Sequence, residues 1–169
     1  MSRIGKLPIT IPAGVTTIAA GAFIGQPSVN LTQENTSFAL VDGALYTGDM
    51  KTLVFCPCYQ DRLTIPNGVE SIEEYAFAYC RLSSLDIPAS LRSIGPNQFS
   101  YAGFASLVIP EGVTELRNAT FDSCDNLKTV VLPSSLTHLE SEVFRYLPSL
   151  TDVYSFGDEP EVVEWGNGV

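Results

Sequence analysis

The chain is short of basic side chains, of histidine and of tryptophan: nine Lys and Arg face nineteen Asp and Glu, with one His and one Trp. The resulting net charge of −10 repels phosphate backbones and anionic headgroups, so nucleic acid and membrane surfaces are not expected partners. A lone His138 leaves a general-base mechanism with a single candidate, and it sits in Leu136-Thr137-His138-Leu139, an exposed-looking position. No Gly-x-Ser-x-Gly elbow, phosphate-cradling Gly loop or His-Glu-x-x-His helix is present. The chain also lacks an unbroken apolar run. From Leu7 to Gln33 it carries no charge, but Pro8, Pro12, Thr10, Thr16 and Thr17 interrupt the stretch and exclude a membrane-spanning helix there. Arg3 and Lys6 before it, with Ala20-Gly21-Ala22 within it, imitate a secretory leader, yet the same residues fit a repeat.

What the chain has is apolar content of 45% over 169 residues, enough for a core without staples. Its acidity is uneven. Residues 1–66 balance four bases against four acids, and the last stretch holds Asp152, Asp158, Glu159, Glu161 and Glu164, a solvated tail by the usual behaviour of charge runs.

One spaced pattern occurs five times, each copy opening on Ile-Pro or Leu-Pro and reaching a Phe twelve residues later: Ile11 to Phe23, Ile65 to Phe77, Ile87 to Phe99, Ile109 to Phe121 and Leu132 to Phe144. The last four copies open 22, 22 and 23 residues apart. Position five is Val15, Val69, Leu91, Val113 and Leu136, and position eight is Ile18, Ile72, Ile94, Leu116 and Leu139. A unit this short cannot close a core alone, so each copy is expected to be one coil whose aliphatic columns stack on those of its neighbours.

Before each Ile-Pro stands an alternating triplet, as in Leu63-Thr64-Ile65 or Leu107-Val108-Ile109. Period two predicts short strands with the outer members inward and the middle member outward, stacked into a narrow parallel sheet and ended by the proline. Segments ending in the repeat Phe, such as Glu73 to Cys80, suit a single helical turn on the opposite side. Gln98, Thr120 and Val143 replace the small residue of Ala22 and Ala76, which puts local packing there in question.

The spacing Ile-Pro-x-x-Val-x-x-Ile-x-x-x-Ala-Phe-x-x-Cys resembles the BspA-like class of leucine-rich repeats. Phe38 to Pro57 resembles that family's Asp-Gly-x-Leu-Tyr hairpin insertion, with strands near Ala44–Tyr46 and Thr52–Phe55 around a turn at 47–51. The expected fold is an α/β solenoid of about six rungs: residues 1–37 as the first rung, 38–57 as the β-hairpin insertion, 58–155 as four regular repeats plus a final strand, and 156–169 as an acidic cap or tail. Trp165 is placed as a cover for the open end. The resemblance implies a non-catalytic module of adhesion or interaction type, binding protein or cell-surface ligands at the cell surface, without cofactor and as a monomer.

The remaining side chains offer little chemistry. Cys80 and Cys124 both follow the repeat Phe by three residues, in a column with Ala102 and Leu147, and are expected to be small buried apolar groups two rungs apart, too far for a disulfide. Cys56-Pro57-Cys58 lacks the second ligand pair that zinc requires, so no metal is expected. Carboxylate pairs (Glu73-Glu74, Asp122 with Asp125, Asp158 with Glu161) offer a hydrolase reading, and a solvated surface is the simpler one. Asn30, Asn35 and Asn118 match the glycosylation acceptor pattern. What is left for recognition is the outward strand column on the expected concave sheet. Its ligand-binding candidates are Thr64, Asp86, Val108, Val131 and Tyr154, with Thr129 and Asp152 at their flank. A spacer role, without a ligand, is the rival reading.

Overall fold

A computed structural model describes residues 7–155 and the strand Glu161–Val162. The protein is a parallel β-solenoid of about seven turns. The described residues form fifteen strands: β1 (Ile9–Ile11), β2 (Val29–Leu31), β3 (Phe38–Val41), β4 (Ala44–Thr47), β5 (Thr52–Phe55), β6 (Arg62–Thr64), β7 (Ser71–Ile72), β8 (Ser84–Asp86), β9 (Ser93–Ile94), β10 (Ser106–Val108), β11 (Glu115–Leu116), β12 (Thr129–Leu132), β13 (His138–Leu139), β14 (Asp152–Ser155) and β15 (Glu161–Val162).

The alternating triplets form one face. β1 pairs with β2, β6 with β8, and β10 with β12 and then β14, all parallel. A second parallel ladder, which the sequence reading did not separate, runs β9-β11-β13-β15 through position eight of each repeat. Each regular rung therefore carries two short strands. Columns five and eight seal the space between them: Val69, Leu91, Ile94, Val113 and Leu116 are all essentially without solvent contact. The repeat phenylalanines stack through the middle, with ring centroids 5.1 Å apart for Phe77–Phe99, 5.8 Å for Phe99–Phe121 and 5.8 Å for Phe121–Phe144.

The helical turns expected beside each Phe are absent: no helix occurs among the described residues, and the solenoid is all-β there. The reason is backbone sign. Two residues before and two after each Phe the chain adopts positive φ, at Gly21 and Gly25, Tyr75 and Tyr79, Asn97 and Tyr101, Ala119 and Ser123, Glu142 and Tyr146. A left-handed residue every four positions breaks a right-handed helix. The segment folds instead as successive four-residue turns, closed for example by Ala76 N–H to Glu73 C=O (3.1 Å) and Cys80 N–H to Phe77 C=O (3.0 Å). The turns also bond rung to rung, Phe77 N–H to Gln98 C=O and Phe99 N–H to Thr120 C=O, both 3.1 Å. Carbonyls and amides left by the missing helix thus find partners on the neighbouring coil.

The solenoid has about seven turns rather than six because β2 is a rung of its own. Val29-Asn30-Leu31 alternates like the other triplets and pairs with Ile9, Thr10 and Ile11 in register, but no proline follows it. Its coil continues into an antiparallel meander: β3 against β4 across Asp42-Gly43, and β4 against β5 across 48–51, with β5 returning parallel to β7. β4 is buried on both faces, and β5 buries Leu53 and Phe55. Leu45 and Phe55 pack with Ile11, Val29 and Phe38, whereas Ala44, Tyr46 and Leu53 join the main core.

The large residues in the small column are accommodated. Gln98 donates its amide to Ile72 C=O beside Gly95, where a Cβ would stand 3.0 Å from the Gln98 amide nitrogen. The Thr120 hydroxyl donates to Arg117 C=O at 2.6 Å. Trp165 and the pairing of Asp158 with Glu161 lie outside the described residues, as do the acidic residues 156–160 and 163–169.

Candidate functional site

The outward column lies where the alternation places it, because inward neighbours such as Leu63, Leu107 and Val130 are taken up by the core. β10, β12 and β14 bring Val108, Val131 and Tyr154 into one register row and Ser106, Thr129 and Asp152 into the next. Val108 is 62% exposed and Tyr154 53%, with Val131 half-buried between them. Thr64 and Asp86 form a separate row on β6 and β8, where the Thr64 hydroxyl donates to Asp86 Oδ2 at 3.0 Å. Strand β8 lies beside β10, so the two rows adjoin. The Thr151 hydroxyl donates to Asp152 Oδ2 at 2.7 Å. The face is therefore an apolar strip of two valines and a tyrosine, bordered by hydroxyls and two carboxylates. Such a strip supplies contact area and polar orientation.

The other candidate residues serve the scaffold. Cys80 and Cys124 are buried, with their thiols donating to Cys56 C=O (3.1 Å) and Phe99 C=O (2.9 Å). Burial pushes the Cys124 thiol up to about 12. The Cys80 thiol is raised as well, first by its hydrogen bond with Cys56 and then by burial, so the Cys56-Pro57-Cys58 segment lies against Cys80, a neighbourhood the spacing did not predict. His138 sits half-buried in β13, in register with Glu115. Of the three glycosylation patterns, Asn35 is buried and spends its amide on Pro12 and Val15 C=O, and Asn118 bonds Ser141; Asn30 alone is exposed.

Sequence reasoning missed a second surface column. Tyr79, Tyr101 and Tyr146 each follow the repeat Phe by two residues and are about half exposed, and the Tyr79 and Tyr101 rings stack at 4.9 Å with planes 7° apart. The recurrence of Tyr at one repeat position was the signal available.

Comparison with known proteins places these features in a family. The model of the BspA type leucine rich repeat region, in six copies, matches residues 49–161. A leucine rich cell surface protein of Faecalibacterium prausnitzii is similar over 90% of this chain and 48% of its own, at 24% identity and TM-score 0.67. A leucine-rich repeat protein of Eubacterium ventriosum is similar over 87% and 48%, at 23% and 0.70. The pneumococcal vaccine antigen PcpA is similar over 90% and 45%, at 19% and 0.61. The chain spans about half the length of these solved relatives, and the likeness is one of fold. No curated protein matches it. With two thirds of its length matched rung by rung, the chain belongs to the BspA type leucine-rich repeat family.

Proposed function

We propose that the chain is a non-catalytic binding module that takes a protein or cell-surface ligand on its outward strand face, through Thr64, Asp86, Val108, Thr129, Val131, Asp152 and Tyr154. The observation that carries this reading is the exposed row Val108–Val131–Tyr154, a contiguous apolar strip on a sheet whose inward residues Leu107 and Val130 are already committed to the core. The row needs no cofactor and no second copy of the chain. A cell-surface location agrees with the description of the F. prausnitzii relative as a cell surface protein.

Capture of host-cell surface proteins by the immobilised chain tests the reading. Val131→Arg places a charge in the centre of the strip and is expected to abolish capture while leaving the melting temperature nearly unchanged, since the side chain points away from the core. Equal capture by both forms overturns the assignment of this face. A spacer role without a ligand is the rival reading, and capture no greater than that of an unrelated solenoid supports it.

A further inference from the structure

The hydrogen bonds between coils assign Cys56 a place in the repeat. Phe77 N–H donates to Gln98 C=O and Phe99 N–H to Thr120 C=O, and Cys56 N–H donates in the same way to Ala76 C=O, at 2.8 Å. Cys56 therefore stands in the phenylalanine column one coil before Phe77, where the later coils carry the rings of Phe77, Phe99, Phe121 and Phe144. The cysteines three residues after Phe77 and Phe121 reach back to this column. The Cys124 thiol donates to Phe99 C=O at 2.9 Å, and the Cys80 thiol donates to Cys56 C=O at 3.1 Å. The two contacts differ in what the acceptor residue carries. Beside Cys124 it is a ring, and beside Cys80 it is a second thiol. The Cys56 and Cys80 thiols hydrogen-bond with each other, which is the largest influence on the Cys80 pKa, whereas Cys58 acts on Cys80 least of the groups involved. Cys56 and Cys80 are both 1% exposed.

We propose that Cys56 and Cys80 are the two ends of a disulfide, closed by exchange with a small-molecule disulfide, that ties the end of β5 to the first regular turn and leaves Cys58 and Cys124 as thiols. One of the two thiolates attacks the reagent RS–SR, forming a mixed disulfide and releasing RS⁻. The other then attacks the protein sulfur of that mixed disulfide, forming the Sγ–Sγ bond and releasing the second RS⁻. The cysteines lose two protons, and two electrons pass from their sulfurs to the reagent, which ends as two thiol molecules. Burial decides when this happens. The thiolate is the nucleophile and burial disfavours it, so the folded reduced chain exchanges slowly, and closure takes place while the turn after β5 is open, in folding or in local opening. The same burial keeps reductants from the bond once the turn has packed. The link joins residues 24 apart, and constraining the unfolded chain over such a loop raises the melting temperature by about 10 °C. It also fastens the junction of the two apolar clusters, because Cys56 belongs to the main core while its neighbour Phe55 packs with Ile11, Val29 and Phe38. The link is separate from the strand face and stands or falls independently of it.

Refolding the reduced full chain from urea in oxidised glutathione, followed by peptide mass mapping without reductant and with fragmentation between Cys56 and Cys58, tests this. The expected product is a chain lighter by two hydrogens, with Cys56 joined to Cys80 and with Cys58 and Cys124 open to alkylation once unfolded. Its melting temperature is expected to exceed that of the reduced chain by about 10 °C, and dithiothreitol is expected to cleave the bond only when urea opens the fold. Cys56→Ser and Cys80→Ser are each expected to abolish both the link and the rise, whereas Cys58→Ser and Val131→Arg keep them. The map of the parent chain decides even where a serine variant fails to fold. Refolding without loss of two hydrogens overturns the proposal, as does a bond from Cys58 or Cys124 to any other cysteine. A Cys56–Cys80 bond that lowers the melting temperature overturns it as well, because the coils then have to move apart from their packed register to accommodate the bond.

Discussion

Eight side chains held at positive φ give the turn column its character, and only the first copy meets that demand with glycine, at Gly21 and Gly25. An L-residue in this region carries a backbone cost of about 1–2 kcal/mol, which the rung-to-rung hydrogen bonds and the buried Phe beside it offset. Ser123→Gly removes the strain at a position outside the core. We expect it to raise stability by about 0.5–1 kcal/mol, seen as a higher urea midpoint at constant m. The same change in a helical turn lowers stability by about as much. The sign of the shift therefore separates the two geometries. The sequence suggested helical turns because Glu73 to Cys80 is rich in residues that tolerate a helix; nothing in a tyrosine or glutamate announces a left-handed backbone. Five copies read in parallel held one hint, the glycine pair of the first copy.

Between elements, the solenoid is closed by polar side chains that reach across rungs at the strand-to-turn corner. Glu111 takes both amides of the next coil's corner, Ser134 N–H at 2.9 Å and Ser135 N–H at 3.2 Å, along with the Ser134 hydroxyl. The Ser135 hydroxyl reaches back, accepting from Gly112 N–H (2.9 Å) and donating to Val113 C=O (2.8 Å); Ser90 does the same for Gly68 and Val69. Glycine suits the Gly112 corner because φ there is +100° and a Cβ would stand 2.8 Å from the Arg92 guanidinium. The bonds from Ser134 and Ser135 hold the Glu111 carboxyl below the usual carboxylate range. A carboxyl lowered in the folded state contributes stability above its unfolded pKa of about 4.3, and that contribution is lost as pH falls through the folded value. Glu111→Gln is thus expected to lower the melting temperature at pH 7 and to leave it unchanged at pH 2, flattening the acid limb of the melting curve. The strand ladders were legible from period-two triplets and the Ile-Pro spacing. The second ladder was not, since two-residue strands such as Ser93–Ile94 are too short to alternate, and β2 escaped because Leu31 is followed by threonine rather than proline.

Over the whole molecule, each rung touches its neighbours along two ladders, a phenylalanine stack and a row of turn bonds, so stability is expected to be a sum of rung terms and nearest-neighbour terms. The spacing of 22 residues between Ile65, Ile87 and Ile109 makes this testable by subtraction. Deleting Ile87 to Val108 joins Asp86 to Ile109 with every column preserved: Val69 then meets Val113, Ile72 meets Leu116, and Phe77 stacks on Phe121 in place of Phe99. The polar contacts of Gln98 with Ile72 and of Ser100 with Ala119 vanish together with both groups at their origin, leaving no new buried polar side chain behind. We expect the shortened chain to fold cooperatively, with a melting temperature below that of the parent and an m-value smaller by roughly one seventh, in proportion to the surface one turn buries. A solenoid held together by long-range contacts between its ends loses the transition altogether on such a deletion, and that outcome in urea unfolding would refute the additive description. The deletion also removes Val108, one residue of the exposed strip. Val131 and Tyr154 remain in register, so a ligand bound through the strand face is expected to survive weakened rather than disappear.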